Sequence, residues 1–326
     1  MGFRASHRLA LALVAATAGL AAGCGGGEEG AGDGTATSGQ LSGTIEADGS
    51  STVGPLTTAA AEAFQAANPG VQITVGISGT GGGFERFCAG ETDLSDASRP
   101  IKDEEAEACA GNGVEYVEFQ VATDALTVVV NTENDWVDCL TVDQLETIWA
   151  PEAEGTVTNW NQVDPSFPDE PLVLAGPGTD SGTFDYFTHE INGEEGASRA
   201  DYTASEDDNV VVQAVAGEQG GLGYLGFSYF EENQDTLKAV QIDGGGGCVA
   251  PSAEAAQDGS YTPLARPLFI YAKKESFARP AVEAFLKYIL DNNAAIAEQA
   301  LYVPLTEEQR TREESEFETA LSEVGA

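Results

Sequence analysis

Basic side chains are scarce in this chain. Fourteen Lys and Arg stand against 54 Asp and Glu, for a formal net charge of −40. A surface of that sign lacks the basic footprint that nucleic acid requires, so no nucleic-acid partner is expected. It also does not dock electrostatically on anionic lipid. Imidazole is nearly absent, with His7 and His189 alone, and no CxxC pair occurs. A zinc site therefore has no support, and no metal or other cofactor is expected. The 39 glycines form no GxxxxGK[ST], and no GxGxxG that follows an expected strand and opens an expected helix, which excludes the common nucleotide loops. Any anion bound should be small and free. The excess of acid is no bar to such a ligand. Net charge governs solubility and steering, whereas short-range capture can rest on backbone N–H groups.

What is present begins with an address. Arg4 and Arg8 form a positive start, Leu9 to Leu20 is apolar but short, and small residues precede Cys24. This reads as a signal peptide over residues 1–23, too short and Ala-rich for a membrane span. The string Leu20-Ala21-Ala22-Gly23-Cys24 resembles the lipobox of bacterial lipoproteins, in which the Cys thiol carries the lipid. Residues 24–43 are then the lipidated Cys24 and a flexible tether of Gly, Glu, Asp, Ala, Thr and Ser. No later stretch resembles a transmembrane helix, so the rest should be water-soluble at the outer face of the cytoplasmic membrane or in the periplasm. Four cysteines remain: Cys88, Cys109, Cys139 and Cys248. An even number in an exported chain suggests two disulfides, with three pairings open. Cys88–Cys109 is the local choice, and Cys139–Cys248 would then close a long loop.

The remainder, 42% apolar over the whole chain, is ample for two cores. Strands are expected at Thr44–Ala47, Val71–Ile77 and Asp93–Ala97, with helices at Pro55–Ala67, Phe84–Ala89 and Lys102–Ala110 between and after them. Gly79–Gly83 reads as a tight turn. Ala125–Asn131 is a strong buried strand, and Thr141–Trp149 is a helix with Thr141 and Gln144 as a capping box. Strands at Leu172–Ala175, Gly221–Gly226 and Pro267–Ala272 follow, with helices at Thr183–His189, Asn209–Val215, Pro280–Asp291 and Ala294–Ala300. This alternation indicates an open α/β sheet, whose ligands sit beyond the carboxyl ends of strands.

Three segments there share one design: Asp48-Gly49-Ser50-Ser51-Thr52-Val53, Ser78-Gly79-Thr80-Gly81-Gly82-Gly83-Phe84 and Gly178-Thr179-Asp180-Ser181-Gly182-Thr183-Phe184. Each follows an expected strand and opens an expected helix. Glycine permits close approach, hydroxyls donate, and a helix's first turn presents unsatisfied N–H groups of positive partial charge. Taken singly, each could be an ordinary cap and turn. Converging, they would hold a tetrahedral anion without many cations. Ser95-Asp96-Ala97-Ser98-Arg99-Pro100 adds a guanidinium at a strand end, able to grip an oxyanion through two parallel hydrogen bonds.

These four motifs, in this order, closely resemble the substrate-binding lipoproteins of bacterial ABC-type phosphate uptake, the PstS family. The resemblance runs from about Ile45 to Pro304. It implies a two-lobed clamshell of the periplasmic-binding-protein type II, its lobes joined by two crossing strands, with lobe 1 at 44–124 plus 266–326 and lobe 2 at 125–265. It implies phosphate bound in the cleft and handed to an ABC permease. Carried over by position, the phosphate site comprises Ser51, Thr52, Val53, Thr80, Gly81, Ser98, Arg99, Asp180, Ser181, Gly182 and Thr183. Family members carry an Arg where this chain has Pro177 and an Asp acceptor where it has Ser98. Arg99 is expected to replace the missing Arg, and to matter far more to affinity than Arg199 or Arg266. Asp48, Asp96, Asp124 and Asp180 are candidates to accept the phosphate proton, Asp180 foremost. Another oxyanion such as sulfate, molybdate or tungstate is the alternative ligand. A Ser-dependent hydrolase would leave Ser51 or Ser181 with only His189 as base, and an enzyme is not expected.

Overall fold

The computed structural model describes residues 41–179 and 181–324. The leader, Cys24 and most of the tether lie outside them, as does Asp180. The first half builds as strand, helix, strand: β1 (Gly43–Gly49), α1 (Gly54–Ala67), β2 (Val71–Ile77), α2 (Gly79–Cys88), β3 (Leu94–Ala97), α3 (Asp103–Gly111) and the long β4 (Tyr116–Asn131). The chain continues through β5 (Cys139–Thr141), α4 (Val142–Trp149), α5 (Trp160–Val163), β6 (Val173–Pro177), α6 (Gly182–Asn192), β7 (Thr203–Ser205), α7 (Asp208–Ala216) and β8 (Gly221–Gly226). After α8 (Phe227–Glu232), β9 (Leu237–Ala239), β10 (Gln241–Asp243), β11 (Cys248–Val249) and α9 (Ala253–Gln257), it returns on β12 (Ala265–Lys273). Helices α10 (Pro280–Asp291), α11 (Asn293–Gln299) and α12 (Glu307–Val324) end it.

One sheet runs in the order β2-β1-β3-β12-β4-β8-β6-β7, with β9 also paired to β4. Strand β4 is common to both halves. Its first part pairs antiparallel with β12, Tyr116 facing Lys273 and Ala125 facing Ala265, and its second part pairs with β8 and β9. Successive residues of a strand point to opposite faces, and the packing follows that rule. Leu268, Ile270 and Ala272 enter the core beneath α1, α10 and α11, while Phe269 and Tyr271 enter a second cluster with Phe84, Phe87 and the Cys88–Cys109 pair. In the other half Leu126, Val128 and Val130 pack with Trp149, Phe187 and Tyr224, and Val129 packs with Val211 and Val215 of α7. A strand covered on both faces is predominantly apolar, as Leu126–Val130 is, with the fully buried Thr127 its one polar side chain.

Helix α4 carries the expected reciprocal cap, Gln144 N–H to Thr141 Oγ1 at 3.1 Å and Thr141 N–H to Gln144 Oε1 at 3.0 Å. The expectation of a tight turn at Gly79–Gly83 is overturned, because α2 begins at Gly79. The reason is close packing. A Cβ at Gly83 would lie 2.5 Å from Gly49 Cα, so these glycines seat a helix against a strand end. The C-terminal α12 was not anticipated. It buries Phe317 and Ala320 against the first core.

The disulfides are Cys88–Cys109, joining α2 to α3, and Cys139–Cys248, joining β5 to β11. They close 21 and 109 residues respectively. Chain-entropy bookkeeping assigns about 3 kcal/mol to the short loop and about 4.7 to the long one. Urea unfolding of Cys88→Ser/Cys109→Ser and Cys139→Ser/Cys248→Ser double variants should therefore show the larger loss for the second pair. Equal losses would mean that residual structure in the unfolded chain, and not loop length, sets the effect.

Candidate functional site

The carboxyl ends of the strands open on a cavity of about 590 Å³. It is lined from the first half by Ser51, Thr52, Thr80, Gly81, Ser98 and Arg99, and from the second by Gly182, Asp185 and Tyr186. Seven of the residues expected at the site are thus brought together. Ser181 and Thr183 flank Gly182 without lining the cavity, and Ser181 Oγ accepts the Thr183 N–H at 3.2 Å as the cap of α6.

The first loop departs from expectation at Val53. That residue is fully buried, and its N–H points to Ser50 Oγ at 3.4 Å. Ser50 Oγ also accepts the Thr52 N–H at 3.1 Å, so Ser50 engages loop amides just before α1, the Val53 amide expected to face an anion among them. Ser50 itself lines the cavity. The second loop is tied to the fourth motif, since Thr80 Oγ1 accepts the Ser98 N–H at 3.2 Å and lies 3.1 Å from Ser98 Oγ. The N–H groups of Thr80 and Gly81 belong to the first turn of α2, where no intrahelical acceptor exists.

The charges are arranged differently from the expectation. Arg99 lines the cavity, but Glu105 holds its guanidinium in two parallel bonds of 2.8 and 2.7 Å. Arg266, expected with Arg199 to matter far less than Arg99, stands in the cleft. Its Nη2 donates to Thr52 Oγ1 at 3.0 Å and to Asp124 Oδ2 at 3.2 Å, and Nε donates to the same oxygen at 3.2 Å. Its guanidinium carbon lies 3.8 Å from the ring centre of Tyr186, a cation–π contact. One side chain thereby touches α1's loop, the shared strand β4 and α6. Arg199 is buried elsewhere, against Asp201 and the carbonyls of Ile148 and Val157.

The candidate acceptors separate in the same way. Asp48 is engaged by the Ser78 hydroxyl and the Arg86 guanidinium. Asp96 is fully buried under the first loop, and Asp124 is held by Arg266. Burial pushes the Asp124 carboxyl up, and Arg266 opposes the shift. Asp185 lines the cavity and was not foreseen. Burial and then Glu195 push its pKa up, disfavouring the ionised form, with Arg266 opposing. His189 also lines the cavity, with Nδ1 2.9 Å from Glu190 Oε1. Among the described residues no cluster of His, Cys, Asp and Glu is arranged to hold a metal.

Sequence reasoning could have weighed Arg266 more heavily, since few cations exist and it opens the returning strand. Its partner could not be read off. Arg266 meets Asp124 only through the β12–β4 register, across 142 residues of sequence.

A binding cleft between two α/β halves that share crossing strands defines a class of receptor, and comparison agrees. A family described as the PBP superfamily domain matches residues 34–293, and the chain belongs to that superfamily. Within it the chain belongs to the PstS group. The phosphate-binding protein PstS of Staphylococcus saprophyticus is 39% identical over 297 residues, covering 90% of this chain and 89% of that protein. Protein SphX of Synechocystis is 50% identical over 273 residues, covering 83% and 81%. A crystal structure of a possible phosphate-binding protein from Planctomyces limnophilus superposes with a TM-score of 0.82 at 46% identity, covering 86% of this chain and 99% of that one.

The two halves approach closely at Gly182, where a Cβ would lie 2.8 Å from Thr52 Oγ1. Gly182→Ala should prop the cleft apart and weaken anion binding by ten- to a hundredfold, the usual cost of about 1–3 kcal/mol for overpacking. Titration calorimetry beside a thermal melt checks this. An unchanged affinity would show that the halves need not meet there.

Proposed function

We propose that this protein captures inorganic phosphate in the cleft and delivers it to an ABC-type permease. The observation that carries the reading is the meeting of three strand-to-helix turns at Thr52, Thr80 and Gly182, beside Arg266, in one cavity. First-turn amides, hydroxyls and one guanidinium suit a tetrahedral oxyanion stripped of water. The Staphylococcus relatives bear the name phosphate-binding protein PstS. A Clostridium perfringens structure with bound phosphate, 27% identical, shares the fold with a TM-score of 0.54.

Hydrogen phosphate has a proton to donate, and sulfate at neutral pH has none. A carboxylate at the cavity accepts from the first and repels the second. Asp180 was the sequence's choice for this role, and Asp185 is the carboxylate whose place at the cavity supports it. Serine chemistry has little support, because among the described residues His189 is hydrogen-bonded to Glu190 and to no serine hydroxyl. At the N-terminus the reading retains a signal peptide and lipid on Cys24. The lobe division at 124/125 and 265/266 belongs to the same reading. No helix among the described residues is long and apolar enough to cross a membrane, so on this reading the Cys24 lipid is the membrane attachment.

Calorimetry with phosphate, sulfate and molybdate tests the ligand. Tight phosphate binding, no hydrolysis of a phosphomonoester and weak sulfate binding are expected. Absence of phosphate binding after endogenous ligand is stripped overturns the proposal. Arg266→Ala should abolish most of the affinity and also cost about 3 kcal/mol in urea unfolding, because Asp124 is left buried without its partner. Arg99→Ala should cost less of both. The reverse order would return the main charged contact to Arg99.

A further inference from the structure

Directly beneath the first loop lies a carboxyl that the binding reading does not use. Asp96 is fully buried. Its main-chain oxygen accepts the Ser50 N–H at 2.9 Å, and its Oδ1 accepts the Thr57 hydroxyl of α1 at 2.8 Å. Its Oδ2 has no partner among the described residues. Asp96 thus holds the Ser50–Thr52 loop at both ends, through the main chain and through the helix that the loop opens. Its neighbour Asp48 is different, because a guanidinium and a hydroxyl compensate it.

We propose that Asp96 is a positioning residue carried as a neutral carboxylic acid, and that anion capture in the cleft requires its proton. The proposal rests on the phosphate reading of the cleft. A dry carboxylate served by one hydroxyl is strongly unfavourable, whereas a protonated acid needs no counter-charge. An ionised Asp96 would also set a negative charge behind a loop that faces an anion. Among the described residues no cation is aimed at it: α1 contributes Thr57, β12 contributes Ile270, and the charged group that acts on it is Asp48, whose own partner is Arg86. Burial, with Thr57 opposing and Asp48 adding, pushes the Asp96 carboxyl up to about 7. That pKa stands above the value of an unfolded aspartate, about 3.9. The stability it contributes is therefore complete below that value and is lost as pH rises through about 7.

The test is calorimetric phosphate binding to the full chain and to Asp96→Asn, from about pH 6 to about pH 8.5. The ratio of the two affinities cancels the ligand's own ionisation. Near pH 6 the two should bind within a few-fold of each other, and above the carboxyl's ionisation the wild type should lose about tenfold per pH unit relative to the variant. A ratio that does not change with pH overturns the proposal. Should the Asn variant fail to fold, Thr57→Val is the second probe. Removing the hydroxyl that favours the charged form should move the wild-type break to higher pH, and an unmoved break overturns the proposal. Carbon NMR of the Asp96 carboxyl needs no ligand. A wild type that binds no phosphate at pH 6 sinks the phosphate reading, and the NMR titration then decides the state of Asp96, an ionised signal at pH 5 refuting it.

Discussion

The antiparallel pairing of β4 with β12 is the constraint on which the rest depends. It is the seam shared by the two halves of the sheet, and its register fixes Arg266 opposite Asp124. A guanidinium placed there reaches Thr52 on one side and Tyr186 on the other. Neither the loop at Ser50 nor the start of α6 supplies a cation of its own. The strand pairing brings one in from the seam.

Around that seam the site is built from ends of elements. Glycine appears where the approach is too close for a side chain, at Gly83 against Gly49 and at Gly182 against Thr52. Hydroxyls appear where an amide needs a partner, as at Ser50 and Ser181. The same residue types therefore serve packing, capping and ligand contact. The sequence alone does not separate these roles, because a capped amide and a free amide read alike.

Much of the architecture was legible. The limits of β2, β8 and α10 fall where alternation, glycine and proline place them. These elements have one apolar pattern and clear punctuation, so local physics decides them. Helix α12 was missed because its sequence is dominated by charge, and its few buried residues, Phe317 and Ala320, take meaning only from the core they meet. Motifs contiguous in sequence located Ser51, Thr80, Ser98 and Gly182 at the cavity. The partners of Arg99 and Arg266 were not legible in the same way. Arg99 is held by Glu105, six residues on, one acid among many, and Arg266 is held by Asp124, across the sheet.

Both arginines that line the cavity are already matched by carboxylates of the protein. An empty cleft consequently exposes no bare guanidinium to water-poor surroundings. Letting go of the ligand leaves behind no uncompensated charge, which is the costly event in a low-dielectric site. A receptor whose task is to hold an anion and then surrender it gains from such internal neutrality. Its grip adds oriented dipoles to a guanidinium, Arg266, that is already matched by Asp124, and both persist whether the cleft is full or empty.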